Sequence, residues 1–315
     1  MAKLSRSKLK VLVTGGAGFI GSHIVGYFQH QAEVRVLDSL RSGFKHNLDG
    51  VRCEFIRGSI LDRAAVRRAV RAVDYIFHLG AMVSVSESMQ IPVECVEINT
   101  NGTLVLLEEA ARAGVKKLIL SSSAAIYGDN PRVPKVETLP PDPKSPYAVT
   151  KLDGELYCRM FADEGRMPTT CLRYFNVFGP RQNPDSSYAA AVPAFIKRAL
   201  KNQPLVIFGN GRQTRDFIHV EDIVAANVFF ATRSAETGVF NVACGRSITI
   251  NQLAATIRQL TGSQSEIQHA AARPGDVRHS LAAIGKSREA GFTPRIDFHK
   301  GLETTIEFFK TKSRR

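Results

Sequence analysis

The apolar run Val11-Leu12-Val13-Thr14 breaks at once into Gly15-Gly16-Ala17-Gly18-Phe19-Ile20-Gly21, and a helical pattern follows over 19–29. Few folds place glycine at 15, 18 and 21 between a strand and a helix. The first permits a tight turn and the second a close approach of backbone to a pyrophosphate. The third permits close packing of helix on strand, and the helix N-terminus favours the negative charge. Asp38 ends the second strand-like run 23 residues after Gly15, where a carboxylate can bind the adenosine ribose hydroxyls. A carboxylate there repels a 2′-phosphate, so the pattern favours NAD over NADP, with Arg41 as the one contrary charge.

Short β-branched runs at 11–14, 34–37, 53–56, 75–77, 117–120 and 169–173 alternate with helical patterns at 19–29, 62–71, 92–113 and 146–163. That rhythm predicts an α/β fold, a Rossmann-type doubly wound parallel sheet followed by a smaller C-terminal α/β substrate domain. After Gly179 the composition turns to Pro180, Asn183, Pro184 and Asp185, then to a helix near 189–201 and a strand near 205–208. The expected domains are therefore 1–178 for the dinucleotide and 179–315 for the substrate, with 216–245 packing back on the first.

The 315 residues carry 42 Lys and Arg against 29 Asp and Glu, a net charge of +13, which by itself suggests a polyanionic partner. Four of those charges lie in residues 1–10 and four in 310–315, leaving +5 for the body, so tail effects replace a specific nucleic-acid partner as the expectation. The Arg cluster at 63–71 reads as a solvated helix face. Five Cys with no C-x-x-C pair argue against a disulfide framework or a zinc ribbon, and eight scattered His leave no metal set. The basic start followed by apolar residues from Val11 has the outline of a signal peptide, but the glycines interrupt it. No window of about 18 apolar residues exists, so no membrane partner is expected and the chain reads as soluble and cytoplasmic.

Ser145 and Pro146 form a helix start, and Tyr147 and Lys151 then stand at i and i+4 on one face. Ser123 ends the fifth strand run. A tyrosine must drop about three pKa units, about 4 kcal/mol of phenolate stabilisation, to act as a base at neutral pH. Lys151 supplies that stabilisation and holds the cofactor ribose, while Ser123 hydrogen-bonds the reacting oxygen.

Four stretches together resemble the extended short-chain dehydrogenase/reductase family, and within it the UDP-hexose 4-epimerases. They are 14–23 around the glycines, Ser121-Ser122-Ser123-Ala124-Ala125-Ile126-Tyr127-Gly128, Ser145-Pro146-Tyr147-Ala148-Val149-Thr150-Lys151, and Arg173-Tyr174-Phe175-Asn176-Val177-Phe178-Gly179. The resemblance implies Ser123, Tyr147 and Lys151 as the catalytic trio. It places Gly15, Gly18, Phe19, Ile20, Gly21, Asp38, Ser42, Gly43, Ser59, Ile60, Leu79, Gly80, Ala81, Asn99 and Phe175 on NAD with Tyr147 and Lys151. Ser59 departs from the family's Asp. For a UDP-sugar it implies Ser84, Ser123, Asn176, Gln182, Ala190, Phe208, Arg215, Arg273, Asp276 and Ser280. Two arginines on a diphosphate make physical sense, because each planar fork forms paired charge-assisted bonds to phosphate oxygens. Ser280, a small residue, implies room for an N-acetyl group at the sugar.

Related dehydratases and decarboxylases carry an extra carboxylate just after the catalytic Ser/Thr, where this chain has Ala124 and Ala125. The implied reaction is therefore C4 epimerisation of a UDP-hexose through a transient 4-keto sugar, with N-acetylated substrates included. Alternatives within the fold are a UDP-glucuronate 4-epimerase or a nucleotide-sugar reductase. A different class is a basic RNA- or NAD-binding protein without catalysis. The apolar arcs of the helices near 92–113 and 146–163 exceed one buried face, and the resemblance implies a homodimer through them.

Overall fold

The computed structural model describes residues 8–184, 190–272 and 278–313. Six strands open the chain: β1 (Lys10–Thr14), β2 (Glu33–Asp38), β3 (Glu54–Arg57), β4 (Tyr75–His78), β5 (Lys117–Ser123) and β6 (Thr169–Tyr174). Beyond them come β7 (Asn176–Phe178), β8 (Leu205–Phe208), β9 (Thr214–Arg215), β10 (Phe217–His219), β11 (Gly238–Val242), β12 (Ile248–Thr249), β13 (Ile267–Ala270) and β14 (His279–Ser280). The helices are α1 (Phe19–Phe28), α2 (Arg63–Val70), α3 (Val85–Gln90), α4 (Pro92–Val96), α5 (Gly102–Arg112) and α6 (Pro146–Asp163). They continue with α7 (Ala191–Ala199), α8 (Val220–Thr232), α9 (Ile250–Thr261), α10 (Gly285–Glu289) and α11 (Phe298–Ser313).

Seven strands form one sheet in the order β11-β6-β5-β4-β1-β2-β3, and β3, β2, β1, β4 and β5 pair in parallel. Leu12, Val13, Ile76, Phe77, Leu118 and Ile119 are fully buried. Near-continuous apolar strands of this kind are what a parallel sheet covered on both faces requires. The expected Rossmann-type α/β architecture is present.

The helix expected over 92–113 is interrupted by a turn of π-helix at Glu97–Asn101. The extra residue in that turn accompanies two side-chain commitments. Asn99 pairs with Met82 through both its amide atoms and donates to Thr150, while Gly102 meets Ile60 so closely that a Cβ there would lie 2.6 Å from it. The Arg cluster is not a purely solvated face either: Arg63 and Arg67 of α2 bond the buried carboxylate of Glu109 on α5, as does Arg112.

The chain forms two compact units, and neither is one continuous stretch. The first comprises Met1–Ser122, Ser145–Cys171 and Asn227–Gly238; the second comprises Ser123–Lys144, Leu172–Ala226 and Val239–Arg315. The division thus differs from a single cut after 178, and only part of 216–245, from Asn227 to Gly238, joins the first unit. The second unit has its own core, in which Phe195 and Ile196 of α7, Leu253 and Ile257 of α9 and Leu302 and Ile306 of α11 pack with Leu205 and Ile207 of β8. Among the described residues no helix is long and apolar enough to cross a membrane.

Helix α6 starts as its sequence predicts, with Ser145 Oγ accepting from Ala148 N and Pro146 in the first turn. Ser145→Ala is expected to cost about 1 kcal/mol, the usual value of such a cap, measured by urea unfolding.

Candidate active site

In the first unit the glycine loop is held by backbone contacts. Gly15 adopts φ +68°, its N–H donates to Leu37 O, and a Cβ on it would lie 2.8 Å from Gly80 N. A Cβ on Gly21 would lie 2.2 Å from Gly15 O. Gly18 begins α1 with no side chain capping its free N–H groups, which therefore remain to meet an anion. Phe19 and Ile20 form the first turn of that helix.

Asp38, buried at the end of β2, accepts from Ala17 N and Leu40 N, each at 2.8 Å. Each carboxylate oxygen keeps a lone pair for a ribose hydroxyl. Gly43 packs on Ala17, where a Cβ would lie 3.0 Å from the Ala17 carbonyl carbon, and Ser42 beside it is exposed. Asn47, which the sequence did not single out, donates to Ala17 O at 2.9 Å and braces the same loop. Arg41 is bound to Glu87 and Glu94, and the bond to Glu87 foremost raises its pKa further. Its charge is matched by carboxylates, which removes the contrary signal to NAD. Ser59 Oγ accepts from Leu61 N and keeps its proton to donate.

A chain of hydrogen bonds runs inward from this loop. Thr14 Oγ1 contacts His78 Nδ1 at 2.7 Å and accepts from Gly80 N, between Leu79 and Ala81; His78 Nε2 contacts Thr103 Oγ1 at 2.9 Å. Burial pushes the His78 imidazole down to about 3, with the positive charge of Lys151 adding to the effect, so it stays neutral. His78, one of the scattered His, ends β4 and links β1 to α5. Asn99 was expected on NAD, yet its side-chain amide is occupied by Met82 and Thr150. Ser84, expected on the sugar, caps α3 by accepting from Glu87 N.

On α6, Tyr147 N donates to Ser88 Oγ, and Lys151 Nζ lies 5.7 Å from the centre of the Tyr147 ring. Lys151 is 7% exposed and donates to Ser121 O at 2.8 Å. Burial lowers its pKa to about 8. Lys151 joins His78, Gly80, Ala81, Asn99, Thr103, Leu120, Thr150 and Gly154 around a small pocket. A larger hollow, lined by Val11, Ala32, Val34 and Val73, opens at the amino ends of β1–β3 and holds none of these groups. Ser123 closes β5 and begins the second unit; its Oγ accepts from Ala125 N, leaving the hydroxyl proton to donate.

In the second unit Asn176 donates to Asp216 O at 3.1 Å and to Ser280 Oγ at 3.3 Å. Ser280 is paired with Arg215 in the parallel contact of β14 with β9, and Arg215 Nη1 donates to Thr214 O. Phe208 ends β8 and its carbonyl accepts from Gln213. Asp216, to which the sequence assigned no role, is fully buried and accepts from Cys244 N, Gly245 N and Ala282 N. Burial pushes its carboxyl up to about 6 against the opposing pull of those three donors.

Gln182 donates to Val177 O, while its Oε1 is buried without a partner among the described residues, as is His219 Nε2. Buried polar atoms of this kind are met by water or ligand. Phe175 is buried against Tyr127, with ring centres 6.2 Å apart, and Ala190 is exposed just before α7. Arg273 and Asp276, and the loop residues 185–189, lie outside the described residues. Among the described residues no cluster of three His, Cys, Asp or Glu fits a metal ion.

The sequence pattern that defines the NAD dependent epimerase/dehydratase family matches residues 11–243. The chain belongs to that family. Within it, the chain is of the UDP-hexose 4-epimerase type. It is 34% identical to a UDP-glucose 4-epimerase of Mycolicibacterium smegmatis, over 97% of this chain and all of that one. A UDP-N-acetylglucosamine 4-epimerase of Methanobrevibacter ruminantium, solved with UDP-N-acetylmuramic acid, superposes with a TM-score of 0.94 at 39% identity, covering 97% of this chain and 99% of that one. The UDP-glucose 4-epimerase of Thermotoga maritima, solved with UDP-glucose, gives 0.92 at 40% identity over 97% and 100%. The cofactor of this epimerase-family chain is NAD. The residues present fit it: a backbone cradle that one Cβ would fill, uncapped helix N–H groups and a buried acid at the end of β2.

Gly21→Ala forces a Cβ onto the Gly15 carbonyl. The variant is expected to lose the NAD that the parent retains through purification, with an unchanged far-ultraviolet circular dichroism spectrum.

Proposed function

We propose that this chain inverts C4 of a UDP-hexose, interconverting UDP-glucose with UDP-galactose and UDP-N-acetylglucosamine with UDP-N-acetylgalactosamine, through a transient 4-keto sugar. The observation that carries the reading is Lys151, a buried ammonium one helical turn from Tyr147 and anchored on Ser121 O. A cation in that position favours the phenolate and makes Tyr147 a base near neutral pH.

Bound NAD supplies reversible hydride exchange at C4. Tyr147 takes the proton of the C4 hydroxyl, and Ser123 donates a hydrogen bond to the same oxygen, which its acceptance from Ala125 N leaves it free to do. The 4-keto sugar turns, and Tyr147 returns the proton to the other epimer. Arg215 and Arg273 hold the diphosphate, Asn176 and Gln182 assist, Phe208 lies against the base, Asp276 binds the ribose, and Ser280 and Ala190 border the hexose. Anchoring at the nucleotide permits the sugar to rotate while it stays bound. Ala124 and Ala125 offer no carboxylate for water elimination or decarboxylation, which favours epimerisation over those reactions.

Purified protein incubated separately with UDP-glucose, UDP-N-acetylglucosamine and UDP-glucuronate, with products identified by NMR, is expected to form C4 epimers of the first two without net NADH. Tyr147→Phe is expected to lower the rate by about 10²–10⁴-fold. No epimer from any of the three rejects the reading.

We also propose a homodimer. Val93, Met89 and Met160 are 72, 60 and 50% exposed, and Val83, Val85, Val96, Val149 and Leu156 extend the apolar surface over 83–96 and α6. On α5, Leu106 and Leu107 are buried while Leu104 and Val105 are half-buried, so the pairing face draws chiefly on α3, α4 and α6 with α5 at its side. A contiguous surface of this kind marks an interface. Val93→Glu combined with Met160→Glu is expected to sediment as a monomer where the parent sediments as a dimer. All five cysteines are free, which suits a reducing cytoplasm.

A further inference from the structure

Helix α6 places Tyr147, Lys151 and Glu155 at i, i+4 and i+8, one above the other. Gly154 brings the helix onto β5 at Leu120, where a Cβ on the glycine would lie 3.1 Å from Leu120 Cδ2. The next two strand residues then engage the two charged side chains. Ser121 O accepts from Lys151 Nζ at 2.8 Å, and Ser122 Oγ donates to Glu155 Oε1 at 2.5 Å. Glu155 is only 4% exposed, so a carboxylate has been taken out of water, with a cation one turn away as its natural counter-charge.

The ionisable groups facing Lys151 come from three elements: Tyr147 and Glu155 on α6, His78 on β4 and Cys95 on α4. His78 is neutral, and burial raises the Cys95 thiol above its ordinary value. Glu155 is the one carboxylate among the described groups in this set.

We propose that Glu155 is a positioning residue for the reaction: its carboxylate, one turn beyond Lys151, keeps Lys151 an ammonium where Ser121 O holds it. Burial alone drives Lys151 toward the neutral amine, and a neutral amine neither stabilises a phenolate nor donates to the ribose as a cation. The negative charge of Glu155 opposes that loss. The inference rests on the role assigned above to Tyr147 and Lys151.

The test reads the Lys151 ammonium directly, in NAD-bound protein labelled with ¹³C at lysine Cε, with the signal assigned by Lys151→Arg. Glu155→Gln keeps a hydrogen-bond acceptor for Ser122 and removes the charge. It is expected to move the Lys151 titration down by about one pH unit, an order-of-magnitude change in its ionisation constant. The alkaline limb of the pH–rate profile is expected to move with it. Ser122→Ala, which keeps the charge, is expected to leave the titration within about 0.3 unit of the parent. If Glu155→Gln does not fold, the Ser122→Ala/Glu155→Met pair replaces both partners by apolar groups, which is close to neutral for folding, and the same downward shift is expected. An unmoved titration in the charge-removing variant that folds overturns the proposal. Failure to epimerise any UDP-sugar overturns the reaction instead and leaves the titration as an independent result.

Discussion

Where β1 meets α1, backbone touches backbone, and that approach organises everything in the first unit that surrounds the cofactor loop. No side chain fits between Gly21 and the Gly15 carbonyl, or between Gly15 and Gly80. Because β1 and the segment after β4 are this close, Thr14 reaches both Gly80 N and His78. From His78 the hydrogen bonds continue to Thr103, whose hydroxyl donates to Asn99 O, and from the Asn99 amide to Thr150, whose hydroxyl donates to Tyr147 O. The glycine crossing is thereby connected, bond by bond, to the first turn of α6. A buried network of this kind tolerates few alternatives, since each unpaired member would cost on the order of 1–3 kcal/mol.

Both units use the same device to hold a loop. Asp38 gathers the N–H groups of Ala17 and Leu40, and Asp216 gathers those of Cys244, Gly245 and Ala282. In each case a buried carboxylate satisfies donors from segments without regular pairing, and the donors offset the cost of removing the charge from water. Lys151 and Glu155 present the matching case with opposite charges on one helix. Burial that would be costly for either is offset in part by Ser121 O, which accepts from Lys151, and by Ser122 Oγ, which donates to Glu155.

Much of the fold was legible in the sequence because its signals are local. Apolar runs bounded by turns located all six early strands to within about three residues. The Ser145-Pro146 start located α6, where cap and first-turn proline act within four residues. The helix over 92–113 was not legible as an interrupted one, because the π turn accompanies partners at Met82, Thr150 and Ile60 that no periodicity within 92–113 encodes. The same limit applies to Asn99, whose side chain meets Met82 and Thr150, 17 and 51 residues away. Ser84 is different, since it caps its own helix by accepting from Glu87 N three residues on.

By itself the sequence determined the α/β class, the glycine cradle with its acid, the Tyr147–Lys151 pair and the family, because each depends on residue type at short spacing. Only the tertiary structure decided which polar residues are buried and what they touch. His78, Glu155 and Asp216 read as ordinary polar residues until strands and helices distant in the chain are brought together around them. Their chemistry comes from desolvation and from partners as many as 66 residues away, as with Asp216 and Ala282. Spacing along a chain carries no record of either.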